Sequence, residues 1–459
     1  MFKLRPKYHY TPKTGYMNDP NGLVFDEKNG IYHLYYQYQE EIIPVNCIVQ
    51  WGHATSKDLI KWTEESPVLS PDEYGIIMSG SAVVDEDNTS GLFSDETPKS
   101  NRLVAFYASG ILGGRQAIAL AYSTDGYNYT KYDGGKPILF NNDPNFNNDF
   151  RDAKVIRYKN GWLMAVGGGQ LKLFYSENLL TWQFQSAVKN VISEDETIDN
   201  DLQILHKYLP YSNPYNEIMP CECPDIFPFE VCEETKWVIL GGGVFYIVGD
   251  LLEVDGKITF KPCTGKKRFY YCNDFFAHEG EGYASQSFYN DKFGRRIVLT
   301  WLMDDTSKVQ SDKLFNGAQS LPTQLNLVKE DGEYVLKVRW VDELKTRFKQ
   351  CLKPHFNGLV FADLEWNSGS GAQFCISSLD QDITLSSKDG QVFVAVNGVK
   401  KIGFEEKSLN KASLVLDGMA LSLIINDEMQ YSTLVFGGNG EYFAQDNGKF
   451  KKIRYYKEK

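Results

Sequence analysis

Apolar residues occur along this chain in short runs separated by polar turns, and long helical periodicity is almost absent. Such runs predict β-strands, and in the first part of the chain they cover residues 31–38, 103–108, 117–122, 162–166, 171–175, 237–240 and 296–301. The best helix candidate is the segment 341–348, where Leu344 and Phe348 fall on one helical face. The pattern therefore predicts an all-β protein.

A weak repeat indicates how the strands are grouped. Segments 56–62, 123–129 and 176–182 each start with Ser, carry an acidic or amide residue two positions later, and end in an aromatic residue. Each follows an apolar run, so each is predicted to form a hairpin between the outer strands of one unit, with Trp62 and Trp182 in its core. Intervals of about 50 to 70 residues suit four-stranded propeller blades, and about five such units would fill the first 330 residues.

The C-terminal part has a different pattern. Short alternating runs such as 391–397 and 412–416 are separated by Asp-Gly and Asn-Gly turns, which is typical of a β-sandwich. We therefore predict a catalytic domain over residues 1–335, a linker over 336–350 and a β-sandwich over 351–459.

Composition narrows the class of partner. The chain has 459 residues and a formal net charge of −12, which argues against nucleic acid as a partner because phosphate binding needs a basic face. Aromatic residues make up 14% of the chain, which suits short strands and a pocket that stacks on sugars.

Residues 1–7 are charged and resemble no signal peptide, and no run is long enough to span a membrane. We therefore expect a cytoplasmic protein whose eight Cys are free thiols.

Three acidic residues stand in unusual settings. Asp19 lies in the segment 16–22 (YMNDPNG), which we interpret as a rigid turn because Pro20 and Gly22 disfavour a helix interior or a central strand. Asp152 follows Arg151, and Glu222 lies between two Cys residues. An ordinary turn or surface ion pair would give the same local patterns. Three fixed carboxylates are also what a two-carboxylate glycoside hydrolase needs.

Six segments together resemble glycoside hydrolase family 32, which contains invertases, inulinases and levanases. In chain order they are 16–22 (YMNDPNG), 51–59 (WGHATSKDL), 79–84 (SGSAVV), 150–152 (FRD), 222–225 (ECPD) and 317–322 (GAQSLP). The resemblance implies a five-bladed β-propeller followed by a β-sandwich, and an enzyme without a metal ion or other cofactor. It also implies that Asp19 is the nucleophile, Glu222 the acid/base, and Asp152 a carboxylate that binds fructose hydroxyls. The further pocket residues that it implies are Asn18, Gln37, Met78, Ser79, Arg151, Cys223, Tyr283 and Trp301.

Clustered carboxylates repel one another, which raises the proton affinity of one of them. We expect this to be Glu222, because its neighbours Cys223 and Pro224 suggest poorer solvation, whereas Arg151 should help to keep Asp152 ionised. His53 is expected to be structural.

The chain also departs from the family pattern. The unusual positions are Tyr16, Met78, Ala153, Glu281, Ser422 and the segment 39–50, which lacks a family Trp. Loss of aromatic surface at Met78 and in that segment predicts a rebuilt pocket wall and weak binding of sucrose.

The expected function is release of terminal β-D-fructofuranosyl units from sucrose or short fructo-oligosaccharides, with retention. Three alternatives stay open: a fructosyltransferase, a sucrose-6-phosphate hydrolase that uses Lys266, Lys267 or Arg268, and a sugar-binding relative without activity. The oligomeric state cannot be deduced from the sequence.

Overall fold

The computed structural model describes residues 5–43, 48–110, 114–141, 149–168, 171–188, 222–270, 282–303, 314–352, 354–388, 391–405, 410–435 and 440–459. Almost all regular structure in these ranges is β-strand, as predicted, and the strands form six sheets. The remaining elements there are two 3₁₀ turns, Lys99–Asn101 and Tyr132–Gly135, and one short helix, α1 (Asp342–Thr346). None of the described helices is long or apolar enough to cross a membrane.

The first two sheets contain the strands up to residue 187. Sheet 1 has the order β21-β1-β2-β3-β4, with β1 (Gly15–Asp26), β2 (Ile31–Gln39), β3 (Gln50–Ser56), β4 (Trp62–Leu69) and β21 (Phe315–Asn316). Sheet 2 has the order β13-β12-β11-β10-β5-β6-β7-β8, with β9 paired to β7; its strands are β5 (Ile76–Val84), β6 (Leu103–Gly110), β7 (Gln116–Ser123), β8 (Thr130–Lys131), β9 (Leu139–Phe140), β10 (Arg151–Tyr158), β11 (Gly161–Gly167), β12 (Lys172–Ser176) and β13 (Gln183–Ala187). The two halves of sheet 2 meet through the single parallel pair of Ala153 and Gly80.

Two further sheets precede the helix. Sheet 3 has the order β14-β15-β16-β17, with β18 paired to β16; its strands are β14 (Asp225–Val231), β15 (Glu234–Gly241), β16 (Phe245–Val254), β17 (Lys257–Pro262) and β18 (Lys267–Arg268). Sheet 4 has the order β19-β20-β23-β24, with β22 paired to β20; its strands are β19 (Gly282–Ser287), β20 (Arg296–Leu302), β22 (Ala318–Gln319), β23 (Thr323–Glu330) and β24 (Glu333–Trp340).

The last two sheets share one hydrophobic core, which includes Leu414 and Leu423 from one sheet and Phe374 and Val394 from the other. Sheet 5 has the order β25-β36-β27-β32-β33-β34, with β25 (Phe348–Cys351), β27 (Leu359–Trp366), β32 (Lys411–Asp417), β33 (Ala420–Ile425), β34 (Met429–Leu434) and β36 (Phe450–Glu458). Sheet 6 has the order β26-β35-β28-β29-β30-β31, with β26 (His355–Asn357), β28 (Gln373–Ser377), β29 (Asp382–Lys388), β30 (Gln391–Val396), β31 (Val399–Glu405) and β35 (Glu441–Asp446).

The predicted hairpins are confirmed, and their residues explain why the sequence repeats. In the first, the Ser56 hydroxyl accepts the Asp58 N–H at 3.2 Å, and the Asp58 carboxylate accepts two later N–H groups, which closes the turn between β3 and β4. Trp62 then donates from its indole N–H to the Leu59 carbonyl at 3.0 Å. The segment 176–182 makes the same set of bonds, with Asn178 in place of the acid.

The strand predictions are confirmed within two residues at most ends, but two other predictions need correction. The helix is shorter than predicted, because Phe348 already pairs with Glu458 in sheet 5. The segment 16–22 is not a turn, because it lies within β1, between β2 and the short β21. Pro20 is tolerated there because two irregularities interrupt the hydrogen-bond ladder, between Met17 and Pro20 and between Asn21 and Val24, and each gives β1 one residue more than its partner.

The cysteines are only partly described. Within the described residues Cys223, Cys232, Cys263 and Cys375 form no disulfide, whereas Cys47, Cys221 and Cys272 lie outside them. Free thiols throughout and a cytoplasmic location therefore stay predictions.

Candidate active site

Several candidate site residues stand where the first strands of sheets 1 and 4 and of both halves of sheet 2 carry one extra residue, whereas Glu222 and Cys223 precede β14, whose pairing with β15 is regular. The extra residue lies between Met17 and Pro20 in β1, between Ile77 and Gly80 in β5, between Arg151 and Lys154 in β10, and between Tyr283 and Gln286 in β19. A bulge disturbs the strict alternation of side chains between the two faces of a sheet, so it can re-aim a side chain. In these four strands, it thereby explains how neighbouring residues of one motif can serve one site.

Asp19 is held by donors from three other parts of the chain. Its Oδ2 atom accepts hydrogen bonds from Ser79 Oγ at 2.6 Å, Gln37 Nε2 at 3.1 Å and Cys223 Sγ at 3.4 Å. Asn18 Nδ2 lies 3.4 Å from Oδ1. Burial raises the pKa of Asp19, the Ser79 hydrogen bond opposes this shift, and the negative charge of Glu222 adds to it. These contacts bring Asn18, Gln37, Ser79 and Cys223 to one carboxylate, and their expected contacts with substrate stay a prediction.

Asp152 is the most deeply buried of the three carboxylates. Its backbone has φ 61°, in the left-handed region, and its Oδ2 atom accepts the Cys223 N–H at 2.9 Å. Burial raises the pKa of Asp152 to about 7; the Arg151 charge opposes this shift, and the charges of Glu222 and Asp19 favour it. Arg151 thus favours the ionised form of Asp152, as expected, but burial outweighs the ion pair.

Cys223 joins the two aspartates, because its N–H binds Asp152 and its thiol binds Asp19. Its φ of 44° directs both groups inward at the approach to β14. Burial raises the pKa of its thiol well above the usual range, and the surrounding carboxylates add to this effect. The thiol is therefore a hydrogen-bond donor here.

Glu222 is more exposed than its two partners. Its side chain is 40% exposed, compared with 3% for Asp152, so the expectation that Glu222 is the least solvated carboxylate is wrong. Tyr283 Oη donates to its Oε2 atom at 2.6 Å, and Arg151 Nη2 donates to its Oε1 atom at 2.8 Å. Cys223 and Pro224 lower the solvation of the backbone around Glu222, but its longer side chain reaches toward solvent.

Met78 and Trp301 differ in their exposure to solvent. Met78 is only 3% exposed and packs in a hydrophobic cluster with residues such as Phe106 and Phe150, so it has little surface to offer a sugar. Trp301 is partly exposed, forms an edge contact with Tyr16 at 6.3 Å between ring centroids, and pairs with Tyr283 in the ladder. The Trp301 indole N–H is buried without a hydrogen-bond partner among the described residues.

The sequence reasoning missed two supporting residues. Asn21 accepts the Gly80 N–H at 3.1 Å and donates to the Asp19 carbonyl at 3.2 Å, so it ties β1 to β5 beside Asp19. Gln116 accepts the Phe150 N–H at 3.1 Å and lies 3.4 Å from Arg151 Nη1. Asn21 lies within the first motif, whereas nothing in the local sequence distinguishes Gln116.

Other predicted positions do not join the site or cannot be placed. Lys267 donates to Glu333 at 3.2 Å, and Lys266 and Arg268 lie over the Phe245 ring. Glu281 and part of the segment 39–50 lie outside the described residues. In the described ranges, no group of three or more His, Cys, Asp or Glu side chains is arranged to hold a metal ion.

The site holds three carboxylates, and Tyr283 and Arg151 both bind the most exposed of them, Glu222. Glycoside hydrolases use carboxylates in this way to hydrolyse glycosidic bonds. The model of the glycosyl hydrolases family 32 N-terminal domain matches residues 9–338. The chain therefore belongs to glycoside hydrolase family 32, as its motifs predicted.

Curated relatives agree with this assignment. The chain is 35% identical over 351 residues to a fructan beta-fructosidase of Streptococcus mutans, a match that covers 72% of this chain and 22% of that protein. It is 34% identical over 347 residues to an invertase of Schizosaccharomyces pombe, covering 70% of this chain and 53% of that protein. The chain thus spans only about a fifth to a half of the length of these relatives.

Solved structures share the fold over nearly the whole chain. A fructofuranosidase from Schwanniomyces occidentalis complexed with fructose has a TM-score of 0.79 at 22% identity, and the match covers 99% of this chain and 98% of that one. A sucrose-6-phosphate hydrolase from Lactobacillus gasseri has a TM-score of 0.72 at 18% identity, covering 99% and 93%.

Proposed function

We propose that this chain is a retaining β-fructofuranosidase that releases terminal fructosyl units from sucrose or short fructo-oligosaccharides. The observation that carries the proposal is the convergence of Asp19, Asp152 and Glu222 through Cys223, Arg151 and Tyr283. Family membership and the sugars named in the related structures, fructose among them, support the substrate class.

The contacts of Asp19 suit a nucleophile. Three donors bind Oδ2, whereas Oδ1 has only the long Asn18 contact among the described hydrogen bonds. In the proposed mechanism Oδ1 attacks C2 of the fructosyl unit while Glu222 protonates the leaving oxygen. Glu222 then takes a proton from water, which hydrolyses the fructosyl-enzyme intermediate.

Asp152 suits a supporting role rather than attack. It is more deeply buried than the other two carboxylates and accepts a hydrogen bond from the Cys223 N–H. In the proposed mechanism it accepts hydrogen bonds from fructose hydroxyls, and these bonds strengthen as positive charge develops on the ring.

We propose as well that sheets 1–4 form five blades of a propeller over residues 1–335, followed by a linker over 336–350 and a β-sandwich over 351–459. The single pair of residues that joins the halves of sheet 2 supports counting these halves as two blades. The core shared by sheets 5 and 6 supports the sandwich. Convergence of first strands at a central cavity would then bring the distant motifs together.

The test compares charge-deleting variants with matched surface controls. Asp19→Asn and Glu222→Gln should each lower kcat for sucrose by several powers of ten, because a nucleophile or a transferable proton is lost. Asp87→Asn and Glu253→Gln make the same changes on side chains that are 60% and 59% exposed and should leave kcat unchanged.

Fructose release should be measured from sucrose, sucrose 6-phosphate, 1-kestose, inulin and levan, with thermal melting as a check of folding. A folded Asp19→Asn or Glu222→Gln variant that keeps more than about a tenth of wild-type turnover would contradict the assigned roles. A wild-type protein that releases fructose from none of the five would contradict the proposed function.

A further inference from the structure

The Arg151 guanidinium lies between an inner and an outer set of acceptors. On the inner side, Nη2 donates to Glu222 Oε1 at 2.8 Å, and Nε lies 3.6 Å from Asp152 Oδ2. On the outer side, Nη1 lies 3.1 Å from Asp149 Oδ1 and 3.4 Å from Gln116 Oε1. One cation is thus shared by three carboxylates and an amide.

Packing holds both outer acceptors in place. Gln116 is 3% exposed, and its Oε1 atom also accepts the Phe150 N–H. Gly168, with φ +87°, lies so close to the Asp149 backbone that a Cβ atom would come within 2.6 Å of the Asp149 carbonyl oxygen. The Nη1 end of Arg151 therefore meets acceptors whose backbone cannot shift freely.

This sharing matters because Arg151 opposes the task proposed for Glu222. A general acid must carry a proton, whereas a neighbouring positive charge favours the ionised carboxylate. The more strongly the guanidinium binds Glu222, the lower the pH at which that proton is lost.

We propose that Asp149 and Gln116 are positioning residues, which hold the Nη1 end of Arg151 away from Glu222 and thereby set the acidity of this general acid. The inference rests on the function proposed above. Without Asp149, Arg151 pairs more closely with Glu222 and one nearby negative charge is lost, and both changes favour the ionised form of Glu222.

The other charged and titratable groups around Glu222 stay unchanged in this test. Described residues that interact with it include Arg151, Tyr283, Asp19, Asp152 and Cys223. Asp149 and Gln116 act on Glu222 through Arg151.

The experiment is the pH dependence of kcat/KM for sucrose between pH 4 and pH 9, whose alkaline limb reports the acid of the free enzyme. Asp149→Asn should move that limb to lower pH by about half a unit. Gln116→Met removes an acceptor without changing charge and should move it less, in the same direction. Gln116→Glu supplies a charged acceptor for Nη1 and should move it to higher pH.

Asp87→Asn is the matched control, because this exposed carboxylate pairs with Arg157 and not with Arg151. An unmoved limb in Asp149→Asn, or the same shift in Asp87→Asn, would overturn the inference, as would a downward shift in folded Gln116→Glu. If Gln116→Glu does not fold, the comparison of Asp149→Asn with Asp87→Asn decides. A wild-type protein without fructosidase activity would overturn the proposed function, and this inference with it.

Discussion

The sheets before residue 340 and the sheets after residue 348 differ in how their strands arrange side chains. In sheets 1, 2 and 4, first strands carry an extra residue where the candidate site residues stand. In sheet 6, buried and less buried residues alternate along β30 and β29. The irregular first strands thus carry candidate site residues, whereas β29 and β30 direct one face into the core of the last two sheets.

Two buried aspartates, one in each region, differ in the direction of their pKa shift. Asp152, in the irregular region, has a raised pKa because burial prevails over its partners. Burial alone would also raise the pKa of Asp417 at the end of β32, but hydrogen bonds from His9 and from backbone N–H groups lower it. Its oxygens accept the N–H groups of Lys7, Tyr8 and His9 at 2.7 to 2.9 Å. The Asp417 charge stabilises the fold, whereas the Asp152 charge costs stability.

Of these two aspartates, Asp152 should give the larger effect on activity when it is changed to Asn. We expect kcat to fall by about a hundred- to a thousand-fold, as when one transition-state contact is removed. The melting temperature at pH 8 should rise by a degree or two, because a carboxylate that resists ionisation in the folded state no longer has to ionise there. Activity assays and thermal melting test this, and a lower melting temperature would contradict the claim that the Asp152 charge costs stability.

Asp417→Asn should lower stability and leave catalysis unchanged. The amide brings an N–H₂ group among backbone donors, so the free energy of unfolding should fall by about 2 kcal/mol, while kcat of the folded fraction stays unchanged. Because the folded-state pKa is lowered, the Asp417 contribution is present above its unfolded pKa and disappears as the pH falls through the folded one. Denaturant unfolding at pH 7 is the measurement, and an unchanged midpoint would count against it.

Three buried histidines differ in whether both of their ring nitrogens have hydrogen-bond partners. His9 contacts Asp417 through Nδ1 and Ser422 through Nε2, at 3.0 and 2.9 Å. His33 and His53 contact each other at 2.9 Å, and each has a second ring nitrogen that is buried without a hydrogen-bond partner in the described ranges. Burial lowers the pKa of His33 to about 4 and that of His53 to about 3.

At these two rings the unfolded chain therefore binds more protons than the folded one below pH of about 6.5, and their contribution to stability should fall from there down to about pH 4. His53→Gln keeps a hydrogen-bonding group but removes one titrating ring. It should reduce the loss of unfolding free energy between pH 7 and pH 4.5 by about 1 to 2 kcal/mol. Urea unfolding at both pH values tests this, and an equal loss in wild type and variant would show that these rings do not titrate on unfolding.

The sequence predicted the strands, the hairpin repeat and the members of the carboxylate cluster, because each depends on short-range patterns. It did not reveal the bulges, since Pro20 and Gly22 look the same in a turn as in an irregular strand. It misjudged the solvation of Glu222, because exposure depends on where the side chain ends and not on its neighbours in sequence. Gln116 was missed because it reaches Arg151 only through the pairing of β5 with β10.

The most direct test of the account is the stereochemistry of transfer to methanol. With Asp19 as nucleophile and Glu222 as acid/base, reaction of sucrose in aqueous methanol should yield methyl β-D-fructofuranoside, because two displacements at C2 restore the original configuration. The product can be identified by NMR, and methyl glycosides do not equilibrate between anomers as free fructose does. The β-glycoside in wild type and its absence in Asp19→Asn are the predicted results; the α-glycoside would contradict a covalent intermediate on Asp19.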